Sequence, residues 1–340
     1  MKPITFALIA AALYAAGIPL SKMLLTVVSP TMLAAFLYLG AGIGIFLLNL
    51  FKKEKSSEPL TKKELPYTVA MVILDIAAPI LLMLGIREST SANVSLINNF
   101  EIVATSLIAL IIFKEIISKR LWLSIFLITA ASVILSFEGK GAFEFNRGSL
   151  FVLGACLCWG LENNCTRALS NKSSYQIVTV KGIFSGLGSL VVALIAGEGF
   201  PAFIWVLSAL IVGFFAYGLS ILFYVTAQRD LGAAKTSAYY SVSPFLGVAF
   251  GIIILGERPA IQFYIGLVIM IISTIIMAKD TISLQHTHLH THVHTHLHTH
   301  GGVAHIHEHT HIHEHIHIHG KESEAHEHNH SDIKEHNHTH

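Results

Sequence analysis

Long stretches of this chain carry no charge at all. Residues 3–21, 23–51, 121–137, 199–228, 236–256 and 259–278 are uncharged and mainly apolar, and shorter runs of the same kind fill 89–100, 102–113 and 182–197. A bilayer core takes about 20 apolar residues per helix. Only helices and closed barrels satisfy their own backbone polar groups in lipid. Barrel strands would alternate polar and apolar positions over about ten residues, and these runs do not. The pattern predicts ten membrane-spanning helices, at about 4–25, 31–51, 67–86, 92–112, 121–137, 148–168, 177–197, 202–223, 234–255 and 260–278. Pro30, Pro59, Pro66, Pro201 and the polar segment KKEKSSEPLTKKEL punctuate them. Lys2 before an apolar run is also how a secretory signal begins. The first run is read as an uncleaved span, because everything that follows is membrane-like too.

Composition divides the chain in two. Charged residues make up 13% of it, against about a quarter in soluble domains. All 22 histidines lie between His286 and His340, and the first 285 residues hold none. Formal net charge is about +6 before residue 286 and −5 after it, so the overall +1 says little about partners. The basic residues are dispersed among apolar runs, which argues against nucleic-acid binding. Cys156, Cys158 and Cys165 fall within one apolar stretch and do not form a disulfide framework.

Orientation follows from Lys and Arg near the span ends. With the N-terminus in the cytosol, fifteen of them, Lys52, Lys119, Arg167 and Lys181 among them, gather inside, and five, Lys22, Arg87, Lys140, Arg147 and Arg258, outside. An even number of spans returns the C-terminus to the cytosol, in a cell (plasma) membrane protein. The chain also repeats itself at an offset of about 142 residues. LGIRESTSANVSLINNFEIVATSLIALIIFKE (84–115) aligns with TAQRDLGAAKTSAYYSVSPFLGVAFGIIILGE (226–257), matching Arg87 to Arg229, Ala92 to Ala234 and Glu115 to Glu257. Five spans per repeat make the halves enter the membrane in opposite senses, the inverted-repeat plan of many secondary transporters.

Each half ends in an apolar run followed by Gly-Glu or Lys-Glu. Trp159-Gly160 sits in the first span of the second half, and Pro244 follows Ser243. In these features the chain resembles the EamA family of the drug/metabolite transporter superfamily, over roughly residues 4–278. The resemblance implies ten helices, cytosolic termini, a central cavity and alternating access, and no particular substrate. Leu37 and Tyr38 stand near the place of an Arg common in the family's second span. Of the family's Glu-Pro pair, the first half keeps Glu101 with Ile102 after it, and the second keeps Pro244 with Ser243 before it.

Three acids lie inside spans: Asp75, Glu101 and Glu162. A charge at the bilayer centre costs about 2.5–3.5 kcal/mol on insertion scales, so such groups are expected to face a cavity or a partner, with Lys22 and Arg167 as candidate partners. Asn98 lies one turn from Glu101, and Asn163 follows Glu162. Tyr217 aligns with Asp75 in the repeat, and Tyr240 precedes Ser243-Pro244. The candidate substrate cavity is therefore Asp75, Asn98, Glu101, Glu162, Asn163, Tyr217 and Tyr240. Amides also join helices, tyrosines and Gly-xxx-Gly spacings also pack, and the shared face of Cys158, Glu162 and Cys165 is better explained by packing than by metal passage. No P-loop is visible, and spans without histidine hold no Ser/His/Asp triad; the chain reads as a non-enzyme.

The tail supplies the strongest chemical signal. His286, His288, His290, His292, His294, His296, His298 and His300 alternate with Thr, Leu and Val. His305, His307, His309, His311, His313, His315, His317 and His319 form a second such block. Neutral imidazoles in this pattern suit zinc, nickel, cobalt or copper; the membrane core calls for no cofactor. Without metal the segment is expected to be disordered, since it has no core.

The sequence thus predicts an all-α integral membrane protein. Its parts are a first repeat over 1–140, a second over 147–280, and a histidine-rich tail over 286–340. The expected function is secondary transport of a small solute by alternating access, with a metal-binding cytosolic tail. A divalent metal exporter and a membrane-anchored metal buffer or sensor are the alternatives. Expected partners are the bilayer and a small-molecule or metal-ion substrate, with a homodimer left open.

Overall fold

The computed structural model describes residues 3–51, 60–113, 118–137, 146–169, 172–231, 236, 239–300 and 303–318. The chain divides into two compact units, Met1–Ile282 and Ser283–His340.

The first unit is helical. Its elements are α1 (Pro3–Leu24), α2 (Pro30–Phe51), a 3₁₀ turn (Lys62–Glu64) leading into α3 (Leu65–Glu88), α4 (Ser91–Ile97), α5 (Phe100–Phe113), α6 (Lys119–Leu135), α7 (Arg147–Arg167), α8 (Ser174–Ile195), α9 (Phe203–Val212), a π-helical stretch (Gly213–Leu219), α10 (Ser220–Leu231), α11 (Ser243–Leu255) and α12 (Ile261–Leu284). Among the described residues seven helical stretches are long and apolar enough to cross a membrane, and Ser243–Leu255 is a shorter apolar helix. The outer surface agrees with a lipid environment: Phe51, Ile195, Phe203 and Ile253 are each three-quarters or more exposed. In water a belt of this kind would drive association; in a bilayer it meets its own solvent.

Lipid gives helices no hydrophobic reason to associate, so close approach of small residues has to supply the packing. Gly42 on α2 and Gly182 on α8 lie backbone to backbone; a β-carbon at either would collide with the backbone of the other helix. Gly40 meets the backbone of Leu210 on α9, and Gly213 meets that of Leu37. Thus α2 is clamped between α8 and the α9–α10 stretch. Gly182→Leu is expected to disrupt this crossing, which overpacking alone would destabilise by about 1–3 kcal/mol. Lower melting temperature and a broadened elution profile in detergent would report it; wild-type behaviour would mean the α2–α8 contact is loose.

Two carboxylates tie helix starts to distant segments. Glu198 accepts from Met32 N at 2.8 Å and Ser29 Oγ at 2.7 Å, at the start of α2. Glu257 accepts from Ser91 N at 2.6 Å and Ala92 N at 2.8 Å, at the start of α4. A negative group there satisfies orphan N–H donors and complements the helix dipole. Lys22 does the converse at the other polarity, donating to the carbonyls of Ile86 and Ser89 at the end of α3.

Two local departures from α geometry shape the interior. Between α4 and α5 the ladder tightens: Asn99 N, Glu101 N and Ile102 N bond three residues back, to Leu96, Asn98 and Asn99. Between α9 and α10 the helix widens into the π-helical stretch that carries Tyr217. Single π turns of this kind are frequent at functional sites. The turn at Ser241–Val242, just before α11, falls one residue beyond the place in the second sequence repeat that matches the turn at Asn98–Asn99 in the first.

The second unit departs from the expectation of a disordered tail. Gln285–His300 and Val303–Ile318 form a two-stranded antiparallel ribbon. Its period-two pattern with Thr, Val, Leu and Ile spacers is that of a strand, which outweighs the lack of a core. The register sets His286 opposite His317, His288 opposite His315, and so on to His298 opposite His305. His319 and the residues after it lie outside the described ones.

Candidate functional site

Four elements place ionisable groups in one buried cluster. Asp75 sits in the middle of α3 and is fully buried, and Glu162, on α7, is 1% exposed. Lys181, in the second turn of α8, reaches between them: its Nζ lies 3.1 Å from Asp75 Oδ2 and 3.0 Å from Glu162 Oε2. Tyr38 on α2 donates to Asp75 Oδ1 at 3.2 Å, and Trp159 Nε1 donates to the Tyr38 hydroxyl at 3.4 Å. Glu162 also accepts from the Thr166 hydroxyl one turn on.

Beside this triad is a second carboxylate site. Glu101, in the first turn of α5 just after the tightened ladder, accepts from Asn163 Nδ2 at 2.7 Å; Asn163 is in reach of Thr105 Oγ1 as well, at 3.2 Å. Asn164 Nδ2 bonds the carbonyls of Gly160 and Thr105, fastening α7 to α5. Glu101 lies in the electrostatic field of both Glu162 and Lys181. Among the described residues the cluster therefore sets three carboxylates against one ammonium.

An aromatic wall completes it. The Tyr38 and Tyr14 rings each lie 5.9 Å from that of Tyr217, and Tyr14 lies 6.1 Å from Tyr240, which stacks edge-on against Tyr224 at 5.0 Å. Asn98 Nδ2 donates to the Tyr14 hydroxyl at 3.0 Å. Of the seven residues expected from sequence to line a cavity, Asp75 and Glu162 meet through Lys181, Glu101 pairs with Asn163, and Asn98, Tyr217 and Tyr240 adjoin Tyr14. Sequence reasoning missed Lys181, Tyr38 and Tyr14. Lys181 was counted with the cytosolic loop charges, but it stands on α8 inside the bundle. Lys22, a candidate partner for the acids, instead closes the end of α3. Arg167 is helical, and its side chain lies outside the described residues.

Among the described residues no group of three or more His, Cys, Asp or Glu is arranged to hold a metal ion. Cys158, Glu162 and Cys165 do share a face of α7, but Glu162 is engaged by Lys181 and Thr166. Cys156 is buried, with its thiol toward the carbonyls of Ile97 and Asn98 at 3.8 and 3.7 Å. Where the tail histidines are described, it is by backbone register alone.

Apolar helices around a buried ionisable cluster define a multi-pass membrane protein of transporter type. The chain belongs to the EamA-like transporter family, whose pattern it matches twice, over residues 1–137 and 146–279. An uncharacterized transporter of Methanothermobacter thermautotrophicus is 28% identical over 278 residues, covering 76% of this chain and 80% of that protein. The uncharacterized transporter YyaM of Bacillus subtilis is 22% identical over 235 residues, 66% of this chain and 77% of its own length. A solved crystal structure, 15% identical, shares the fold with a TM-score of 0.61 over 82% of this chain and 98% of its own. The relatives are transporters, and this chain, like them, is not an enzyme.

Proposed function

We propose that the protein is a secondary transporter of ten spans, built from inverted five-helix halves over 1–140 and 147–280, that moves a small solute across the cytoplasmic membrane by alternating access. Both termini would lie in the cytosol, as the bias of Lys and Arg suggests. The observation that carries this reading is the buried cluster of Asp75, Glu101, Glu162 and Lys181, to which both halves contribute. Intramembrane charge is expensive and marks substrate or ion pathways, and a passive anchor would have no use for it. The unevenness of charge, three acids to one base, and the tyrosine wall favour a solute carrying positive charge.

The tail, 286–340, binds divalent transition metals in this reading, and zinc, nickel, cobalt and copper are all suited to imidazole. It would serve as regulator or buffer. Direct delivery of ions to the bundle is less well supported, because the spans offer no histidine to receive them. Metal export would nonetheless follow if uptake assays favour metals.

The test is uptake into proteoliposomes, with a panel of organic cations, amino acids and divalent metals. Wild type should transport one class, and Glu101→Gln should lower its rate at least tenfold while purifying and inserting normally. Unchanged transport would reduce Glu101 to a structural role; metals alone being carried would turn the assignment to export. No transport of any member, with ion binding confined to the tail, would favour a membrane-anchored buffer.

A further inference from the structure

One ammonium faces two carboxylates in the triad, and the two are not equivalent. Glu162 has Lys181 at 3.0 Å and the Thr166 hydroxyl besides. Both Glu162 and Lys181 come from the second half of the sequence. Asp75 comes from the first. Its Oδ1 accepts the Tyr38 hydroxyl. Its Oδ2 is buried and receives no hydrogen bond among the described residues, although Lys181 Nζ is only 3.1 Å away.

We propose that Asp75 Oδ2 is a proton-binding site, and that its proton controls the ion pair between the two halves. The proposal rests on the transport reading and names the coupling ion for it. An O–H bond forms at Oδ2 with a proton from water on one side of the membrane and breaks with release to the other; no electrons move. With the proton bound, Asp75 is neutral and Lys181 and Glu162 form a balanced pair within the second half. With the proton gone, Asp75 holds α3 to α8 through Lys181, and the triad keeps one uncompensated negative charge in a buried site. Such a charge is strongly disfavoured, so the deprotonated state would seek a second cation, which is where a positively charged solute enters in exchange. Among the described residues the groups that face Asp75 are Tyr38 from α2, Cys158 and Glu162 from α7 and Lys181 from α8; Glu101 on α5 interacts with Glu162 and Lys181.

Infrared difference spectroscopy of the purified full-length chain in detergent reads this without any substrate. Wild type should show the carbonyl stretch of a protonated carboxyl, sensitive to deuteration and moved by carbon-13 labelling of aspartate. The chain has only four aspartates, Asp75, Asp230, Asp280 and Asp332, so assignment is direct. Asp75→Asn should abolish the labelled band. Glu162→Gln should abolish it too, because Lys181 then balances Asp75 one to one. Glu101→Gln should leave it in place. The isotope shift in wild type decides the matter even if the variants fold poorly. Absence of a protonated aspartate at every pH, or an aspartate band that survives Asp75→Asn, would overturn the proposal. A band that survives Glu162→Gln would overturn the charge-balance argument behind it. Since the spectrum needs no transport, a protein that shows the band and carries nothing would refute the transport reading and leave the proton site standing.

Discussion

Lys181→Met should cost the protein about 3–5 kcal/mol of stability, the range for removing one partner from a buried ion pair. It leaves Asp75 and Glu162, both essentially without solvent contact, facing each other with no cation between them. The side chain of Lys181 is itself only 16% exposed, so solvent does little to screen the loss. The defect should be largest in alkaline medium, where both carboxylates are charged, and smaller in acid, where protons neutralise them. Thermal unfolding in detergent across a pH series measures both. Lys181→Arg keeps the charge but presents a planar fork to a site shaped around a point donor; it should fall between wild type and Lys181→Met. Equal melting temperatures for wild type and Lys181→Met at all pH values would show that the triad is held by packing, with its charges already neutralised.

The apolar helices and the three acids of the cluster were legible in the sequence. Apolar runs of the right length identify helices whatever packs against them, because lipid forbids other solutions for the backbone. The three acids stand out because a charge in such a run has no cheap explanation. Lys181 was as visible as they were, but sits four residues into a run read as a span. The convention that Lys and Arg near span ends mark the cytosolic side took it for an orientation signal, and only the spatial neighbours Asp75 and Glu162 show that it points inward. Tyr38 was marked only as standing near a family Arg position, and Tyr14 gave no signal, because a tyrosine in an apolar helix is ordinarily packing. Their place depends on the α2–α8 crossing at Gly42 and Gly182 and on the widened helix at Gly213–Leu219. The tightened ladder at Asn98–Asn99 was likewise invisible to hydropathy, since Asn is tolerated in a span and nothing there carries charge. The tail was misjudged for another reason: lack of a core was given more weight than strict alternation, and the alternation sets the register of the ribbon.

The largest expected binding effect belongs to that tail. Truncation after residue 285 should remove nearly all transition-metal binding from the purified protein, because every histidine of the chain lies beyond it. The ribbon's register places seven histidine positions of one strand opposite seven of the other. Directly opposite positions on one face have β-carbons about 4.5–5.5 Å apart, a spacing at which two imidazoles can share an ion. The intact chain should therefore take up several zinc, nickel or cobalt ions rather than one. Protons compete for the same nitrogens. The unperturbed imidazole pKa is near 6.5, so affinity should fall steeply between about pH 7.5 and about pH 5.5. Below that range, like charges would stand directly opposite each other across the strands, which destabilises such pairs. Acid should then weaken the ribbon as well as empty it, and bound metal should protect it. Calorimetric titration of the intact and truncated proteins at the two pH values, with far-ultraviolet circular dichroism of each, tests the whole argument. A single ion per chain, binding that survives truncation, or affinity indifferent to pH would contradict it.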